Sequence, residues 1–435
     1  MIKLNRNQTL SGPQIYLTGA SYDATPLPVR EKLSISKARI QEALESLEYY
    51  VNSGVILSTC NRTEVYAIGT DGHSPITFIQ SFLCDWSGLS QEELDPILYK
   101  ASGYDAIRHL TETTAGLRSM IVGEWEIQGQ VKQALQAAED AGMADPFLGM
   151  LFHHAIQVGR RVRDETDISK NALSVSSVAV NLAAKRIGDV HRCKVVLLGA
   201  GQAGKLVARA FSQRGVADLS ILNRSLQGAE ELAAALGGRA VKLGNLQREM
   251  EAADIVISCT GAPHAIVNSD IVRKVMTARP VRPLVIVDIA VPRDVDPKVK
   301  RIDGVTLYDI DDFIKVSKTH RKAREEEIDK ALGIIDEEMS RFIEQWHAIS
   351  VKPVVDALMQ KADVIRQRQL QFTLKKLPPL SQEELANIEA MTKSIVNKLL
   401  HNPVKCLRNN GHNDDVMVEV VKELFDIDTK ALSDK

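Results

Sequence analysis

The sequence predicts a multidomain α/β protein with an α+β front, a doubly wound parallel α/β middle and an all-helical back. Three observations carry this. Short strand-like and helical runs alternate up to about residue 165. Five continuous apolar runs then follow, with helical stretches between them, up to about residue 310. From 311 onward strand signal almost vanishes. A chain of 435 residues is also too long for one ordinary domain. The expected units are therefore 1–165, 166–310 and 311–435.

Bulk composition narrows the class. No run of about 18 apolar residues exists, so a membrane-spanning helix is not expected. The opening MIKLNRNQTLSGPQ lacks the apolar stretch of a secretion signal, which makes a cytoplasmic protein the expectation. The five cysteines are scattered and form no C-x-x-C pair, which argues against a disulfide framework or a cysteine zinc site. His153-His154 has no carboxylate or thiol at ligand spacing, so no metal is expected. A net charge of -2 disfavours general coating of nucleic acid but allows a local basic patch. Arg160-Arg161-Val162-Arg163 is the densest such cluster; it reads equally as phosphate contacts or as a solvated helix face.

In the front unit, QIYLTGAS and SGVILSTC read as strands and ISKARIQEALESL as a helix. The second strand ends in the polar cluster Ser58-Thr59-Cys60-Asn61-Arg62. A polar break at a strand end is a common place for site residues. Only the thiolate of a cysteine attacks carbonyls well, and Arg62 offers a positive charge to favour it. A cysteine beside a strand is equally readable as a packed core residue.

In the middle unit the strand candidates are CKVVLLG, DLSILN, ADIVISCT, PLVIVDIA and GVTLYDI. The first runs into Gly199-Ala200-Gly201-Gln202-Ala203-Gly204 and then the helix KLVARAF. This G-x-G-x-x-G between strand and helix is the Rossmann fingerprint for a dinucleotide, whose pyrophosphate sits on the helix N-terminus. The next strand ends in Asn223-Arg224-Ser225 with no carboxylate to repel a 2′-phosphate. Arg224 can pair with that phosphate, which favours NADPH over NADH; otherwise it is a solvated loop cation. Cys193 and Cys259 lie at or in strands and read as structural.

In the back unit, Ile328, Leu332, Ile335, Met339, Phe342 and Trp346 recur in steps of four and three. With no globular core evident around it, this seam is expected to bury itself against a second subunit; the other reading is a helix packed on its own body. Pro353 interrupts the pattern before QKADVIRQRQLQFTLKKL resumes it.

Several segments together resemble the glutamyl-tRNA reductases. Ser58-Thr59-Cys60-Asn61-Arg62 with Glu64 is similar to the family's nucleophile segment, and Arg118 to Lys132 and Pro28 to Leu33 agree with it. So do the glycine turn, Asn223-Arg224-Ser225, Asp288 to Pro297 and Lys398 to Pro403. The likeness runs in order from about residue 15 to about 405. It implies a front catalytic domain, an NADPH domain and a helical dimerisation domain joined by a long helix. It further implies NADPH-dependent reduction of glutamyl-tRNA(Glu) to glutamate-1-semialdehyde through a Cys60 thioester, the entry step to 5-aminolevulinate and tetrapyrroles. Thr59, Asn61, Arg62, Ser119, Glu124, Trp125, Glu126 and Gln130 would then form the glutamate pocket, with Arg62 facing the substrate carboxylate. His109 matches a family histidine and reads as a proton donor to the leaving ribose or as an orienting group. The family usually carries Glu-Pro-Gln where this chain has Glu124-Trp125-Glu126. The resemblance also implies a V-shaped homodimer through the C-terminal helices, with a gap between cofactor and cysteine domains that a swing must close. Hand-over of the aldehyde to an aminomutase follows as an expectation. Two other readings stand beside this one: a shikimate-dehydrogenase-like reductase, and a non-catalytic tRNA- or regulator-binding scaffold.

Overall fold

The computed structural model describes residues 14–69, 74–169, 175–216, 218–314, 324–409 and 414–427. The polar opening residues 1–13, on which the expectation of no secretion signal rests, lie outside these.

The front unit is built on a four-stranded antiparallel sheet: β1 (Gln14–Ser21), β2 (Gly54–Ser58), β3 (Arg62–Gly69) and β4 (Tyr99–Ser102), in the order β2-β3-β1-β4. β1 and β2 are the two expected strands. The central β3 escaped the apolar-run criterion because Arg62 and Glu64 interrupt it, yet every residue along it is buried. Helices Gly103–Thr114, Glu126–Asp140 and Pro146–Glu165 cover the sheet and share one core with it.

The middle unit carries six parallel strands: β5 (Lys194–Leu198), β6 (Asp218–Asn223), β7 (Arg239–Lys242), β8 (Ile255–Ser258), β9 (Leu284–Asp288) and β10 (Val305–Asp309). Their order is β10-β9-β8-β5-β6-β7. The reversal beside β5 is the switch point of a doubly wound sheet, where a crevice opens at the strands' carboxyl ends. β8 and β9 are wholly buried, as continuous apolar runs require. The edge strand β7, with the sequence RAVK, is too short and too polar to announce itself.

The long helix Glu325–Ser350 corrects the intersubunit expectation for the seam. Ile328, Ile335, Met339, Phe342 and Trp346 are buried within this chain, in the front unit's own core. Phe342 stacks on His154 at 4.3 Å between ring centroids, and Trp346 meets Phe147 at 5.2 Å. The seam looked unpartnered because its partners, on Gly103–Thr114 and Pro146–Glu165, lie far back in the sequence. Helices Lys352–Leu374, Gln382–Asn409 and Asp414–Leu424 follow and form a small core around Leu358, Leu400 and Leu407. No helix among the described residues is long and apolar enough to cross a membrane.

Candidate active site

Cys60 occupies the tip of the hairpin between β2 and β3. Ser58 pairs with Thr63 across the antiparallel ladder, which leaves a tight loop at residues 59–62. Thr59 closes the loop: its backbone N–H donates to Arg62 O at 2.8 Å, and its hydroxyl accepts from the N–H groups of Asn61 and Arg62. Hydroxyl-to-backbone bonds of this kind stabilise turns. Tyr22 N–H donates to Asn61 O at 2.8 Å, and Arg30 Nη1 donates to Cys60 O at 3.1 Å. The thiol is thus carried on a backbone fixed from three sides.

Behind the loop lies a buried charge cluster. Arg62 Nη1 donates to Glu64 Oε1 at 2.7 Å and to Thr113 Oγ1 at 3.2 Å, and Nη2 donates to Arg118 O. Glu64 also accepts from Tyr66 at 2.6 Å, Tyr99 at 2.5 Å and His109 Nε2 at 2.8 Å. Burial opposes its ionisation, but Arg62 and His109 overcome this and hold Glu64 well below the usual carboxylate range. An ionised Glu64 only accepts hydrogen bonds, so His109 Nε2 is the donor. Sequence reading assigned Glu64 no role; a charged residue at an alternating, inward position of a strand was the available signal.

These placements revise two expectations. Arg62 has both Nη groups turned to partners behind the loop, and the cation that favours the Cys60 thiolate is Arg30. Nor does that arrangement make the thiol acidic. Burial, then Glu124 and Glu126, push it up to about 12. His109 lies behind Arg62 and outside the cavity lining.

A cavity of about 440 Å³ opens in front of Cys60. Its front-unit wall carries Thr59, Asn61, Arg62, Ser119, Glu124, Glu126 and Gln130. Trp125 is the exception among the expected pocket residues: it is half exposed and outside the lining. Glu124 is 8 % exposed and lines the cavity. Burial and repulsion from Glu126 raise it to about 8. The side-chain oxygen of buried Asn61 is unsatisfied.

The opposite wall belongs to the middle unit: Gly201, Gln202, Ala203, Thr260, Ala290 and Val291. The expected gap between the two units is therefore closed here. Two ion pairs bridge them beside the cavity. Glu31 receives Arg293 Nε at 2.7 Å, Nη2 at 2.6 Å and the backbone N–H at 2.8 Å, while Arg30 pairs with Asp311.

The glycine turn has the geometry its spacing predicts. Gly199 sits at φ +106°, a left-handed conformation that disfavours a side chain. A Cβ on Gly204 would lie 2.1 Å from Gly199 O, whereas one on Gly201 would project into open space before helix Gln202–Gln213. That space and the free N–H groups at the helix start fit a pyrophosphate. Asn223 holds the turn through a 3.4 Å bond from Ala200 N–H, and Ser225 caps the next helix. Arg224 is exposed beside them and unpaired among the described residues.

Sequence reading also missed the floor of the cavity. Asp294 accepts from Ser258 Oγ at 2.6 Å and from Thr260 N–H at 2.8 Å, so Thr260 is locked in place. The Arg160–Arg163 cluster is largely committed internally. Arg161 pairs with Glu165, Glu337 and Glu338, and Arg163 donates to Thr114 O at 2.8 Å.

Comparison with known proteins covers nearly all of the chain. The profile for the N-terminal domain of glutamyl-tRNAGlu reductase matches residues 18–166, that for shikimate/quinate 5-dehydrogenase residues 181–316, and that for the glutamyl-tRNAGlu reductase dimerisation domain residues 330–427. The shikimate-dehydrogenase likeness thus describes the middle unit and not a rival reading of the whole chain. Glutamyl-tRNA reductase of Pelotomaculum thermopropionicum is 41% identical over 95% of this chain and 94% of its own. That of Desulfitobacterium hafniense is 38% identical over 95% of each. The solved glutamyl-tRNA reductase of Methanopyrus kandleri is 31% identical, covers 95% of this chain and 98% of its own, and superposes with a TM-score of 0.50.

Proposed function

The chain belongs to the glutamyl-tRNA reductase family, and from that premise we propose that Cys60 takes the glutamyl group from glutamyl-tRNA as a thioester, which is then reduced to the aldehyde. The middle unit binds a pyridine nucleotide; the missing acidic residue after β6 and the free Arg224 favour NADPH, which supplies the hydride. A thioester carbonyl accepts hydride far more readily than a carboxylate, so the covalent step divides one hard reduction into two feasible ones.

Each residue's task follows from its chemistry. Arg62, fixed by Glu64, offers the substrate's side-chain carboxylate a rigid positive charge, not the free two-pronged pair suggested by sequence. The carboxyl groups of Glu124 and Glu126 and the unsatisfied side-chain oxygen of Asn61 suit the substrate's α-ammonium. Ser119 and Gln130 supply neutral hydrogen bonds from the same wall. His109 acts through Glu64 to hold Arg62 and carries no proton to substrate. Dimerisation uses the C-terminal helices, and the reactive aldehyde passes to a downstream aminomutase.

The observation that carries this reading is the single cavity that joins Cys60, the carboxylate-binding wall and the glycine turn. The test is a single-turnover assay with radiolabelled glutamyl-tRNA, comparing wild type with Cys60→Ser. Wild type should hold label on protein without NADPH and release aldehyde with it; the variant should do neither. Normal reduction by Cys60→Ser would refute the covalent route.

A further inference from the structure

Cys60 stands on the wall between two cavities. Besides the one described, a second of about 720 Å³ opens on its other side, between loop 34–38, β2 and the helix Glu126–Asp140. Resting on the proposed function, we propose that this second cavity receives the terminal nucleoside of the tRNA as the leaving group of acyl transfer, with Lys37 meeting its 5′ phosphate.

Geometry and charge both favour that division. An ester carbon poised over the sulfur has two substituents, the acyl chain and the ester oxygen, which diverge in the plane of the carbonyl. The acyl chain belongs with Arg62 and Ser119 in the first cavity. The far wall of that cavity is the glycine turn, so a ribose placed there would occupy the path of the nicotinamide. The second cavity leaves both reactants room, and its volume is ample for one nucleoside.

The first cavity contains the carboxyl groups of Glu124 and Glu126, and its Arg62 is committed to the acyl chain. Among the described residues the second contains no carboxylate, and Lys37 is the one charged residue in its lining. Lys37 lies at the rim shared by the two cavities, with its Nζ donating to Gln133 Oε1 at 2.7 Å. An exposed lysine with a neutral partner is free to exchange that partner for a phosphate. Ile40 and Ala137 give the base an apolar surface, while Gln130 and Gln133 offer amides to its edge.

The step balances within these groups. The Cys60 sulfur–carbon bond forms, the ester carbon–oxygen bond breaks, and the thiol proton ends on the departing ribose hydroxyl. Glutamate remains in the first cavity as the thioester, and the nucleoside withdraws through the second.

The test compares two donors for Cys60 without NADPH: glutamyl-tRNA, and glutamate α-methyl ester, which has no nucleoside. The variants are Lys37→Ala, at an exposed position, and Ala137→Phe, which fills the cavity from its helix. The readout is the ratio of acylation rates, tRNA ester over methyl ester, at sub-saturating donor. Ala137→Phe should lower that ratio at least 30-fold on the order-of-magnitude expectation for a blocked site. Lys37→Ala should lower it about tenfold and reduce the salt slope for tRNA by about 0.7, as loss of one single-strand phosphate contact requires. A ratio unchanged in both variants would overturn the nucleoside site while leaving the enzyme's function intact. Failure of wild-type protein to take label from glutamyl-tRNA would overturn the function and the site together.

Discussion

Glu124 and Glu126 share the cavity with Cys60, and burial, followed by Glu126, lifts Glu124 to about 8. In the unfolded chain a glutamate titrates near 4.3. Between those values the folded protein retains a proton that the unfolded chain has lost, so rising pH works against folding across that window. Glu124→Gln removes this handicap: relative to wild type, the variant should gain up to a few kcal/mol as pH rises from 5 to 8, read from urea melts at the two pH values. Parallel pH dependence of the two proteins would mean that Glu124 is ionised throughout. The same substitution removes a carboxylate facing Cys60, so iodoacetamide should label the thiol faster at pH 8. A second prediction concerns His109, whose ring donates to Glu64 and lies tilted against Tyr99 at 5.1 Å between centroids. A group that only holds Arg62 in place affects substrate binding, so His109→Asn should raise KM about tenfold and leave the shape of the kcat pH profile unchanged. Loss of one limb of that profile would instead identify His109 as the proton donor. At this scale the sequence was legible wherever chemistry is local. The positive-φ turn at Gly199 and the place of Cys60 at a strand end can each be read within a few residues. Glu64 and Thr260 do not, because their work depends on partners that only the fold brings near.

Elements set how the two reactants meet. Helix Leu27–Leu33 belongs to the front unit, yet successive residues on it, Arg30 and Glu31, grip the middle unit at Asp311 and Arg293. Arg30 also holds the Cys60 carbonyl, so this short helix ties the nucleophile loop to the nucleotide unit. On the proposed route the groups that act in acyl transfer lie on the front unit, whereas hydride transfer needs both units. Glu31→Gln should therefore leave thioester formation near the wild-type rate while slowing aldehyde release about tenfold, the scale expected from loss of one well-formed, partly buried ion pair. Pairing Glu31→Arg with Arg293→Glu should recover part of the loss. Equal slowing of both half-reactions would place the effect in the front unit's stability instead. The long helix makes the complementary point. Its seam period was readable and its partner was not, because a heptad pattern specifies a face and leaves open what covers it. Trp346 is fully buried against Phe147 and Phe342, so Trp346→Ala should cost about 3–5 kcal/mol of front-unit stability. The measurement is the denaturant midpoint at several protein concentrations: a concentration-independent shift supports packing within one chain.

At the scale of the whole molecule, an apolar surface on the C-terminal helices remains uncovered among the described residues. Helices Lys352–Leu374 and Gln382–Asn409 enclose a groove of about 520 Å³, and Ile365, Phe372, Met391, Ile395 and Leu399 stand at least half exposed. A contiguous apolar patch of this kind marks an association surface. It lies within the stretch matched by the dimerisation-domain profile. The prediction is that pairing uses these helices and not the upstream seam, whose residues are spent on the front unit. That division has a mechanical consequence. Each long helix is anchored by Arg108–Asp336 and by Arg161 with Glu337 and Glu338 to its own catalytic unit. A dimer joined at 352–409 then holds two catalytic units apart, each closing on its own nucleotide unit. Placing charges in the groove, Ile395→Glu with Leu399→Glu, should abolish pairing, because an uncompensated carboxylate in a desolvated interface costs several kcal/mol. Light scattering should then report a mass near the 47.9 kDa of one chain. Since the residues proposed to act at Cys60 lie in the front and middle units and not on the pairing helices, a monomer that folds should still take label from glutamyl-tRNA and bind nucleotide. Loss of labelling in a folded monomer would mean that tRNA is gripped by both subunits at once. Retention of the dimer would move the interface elsewhere.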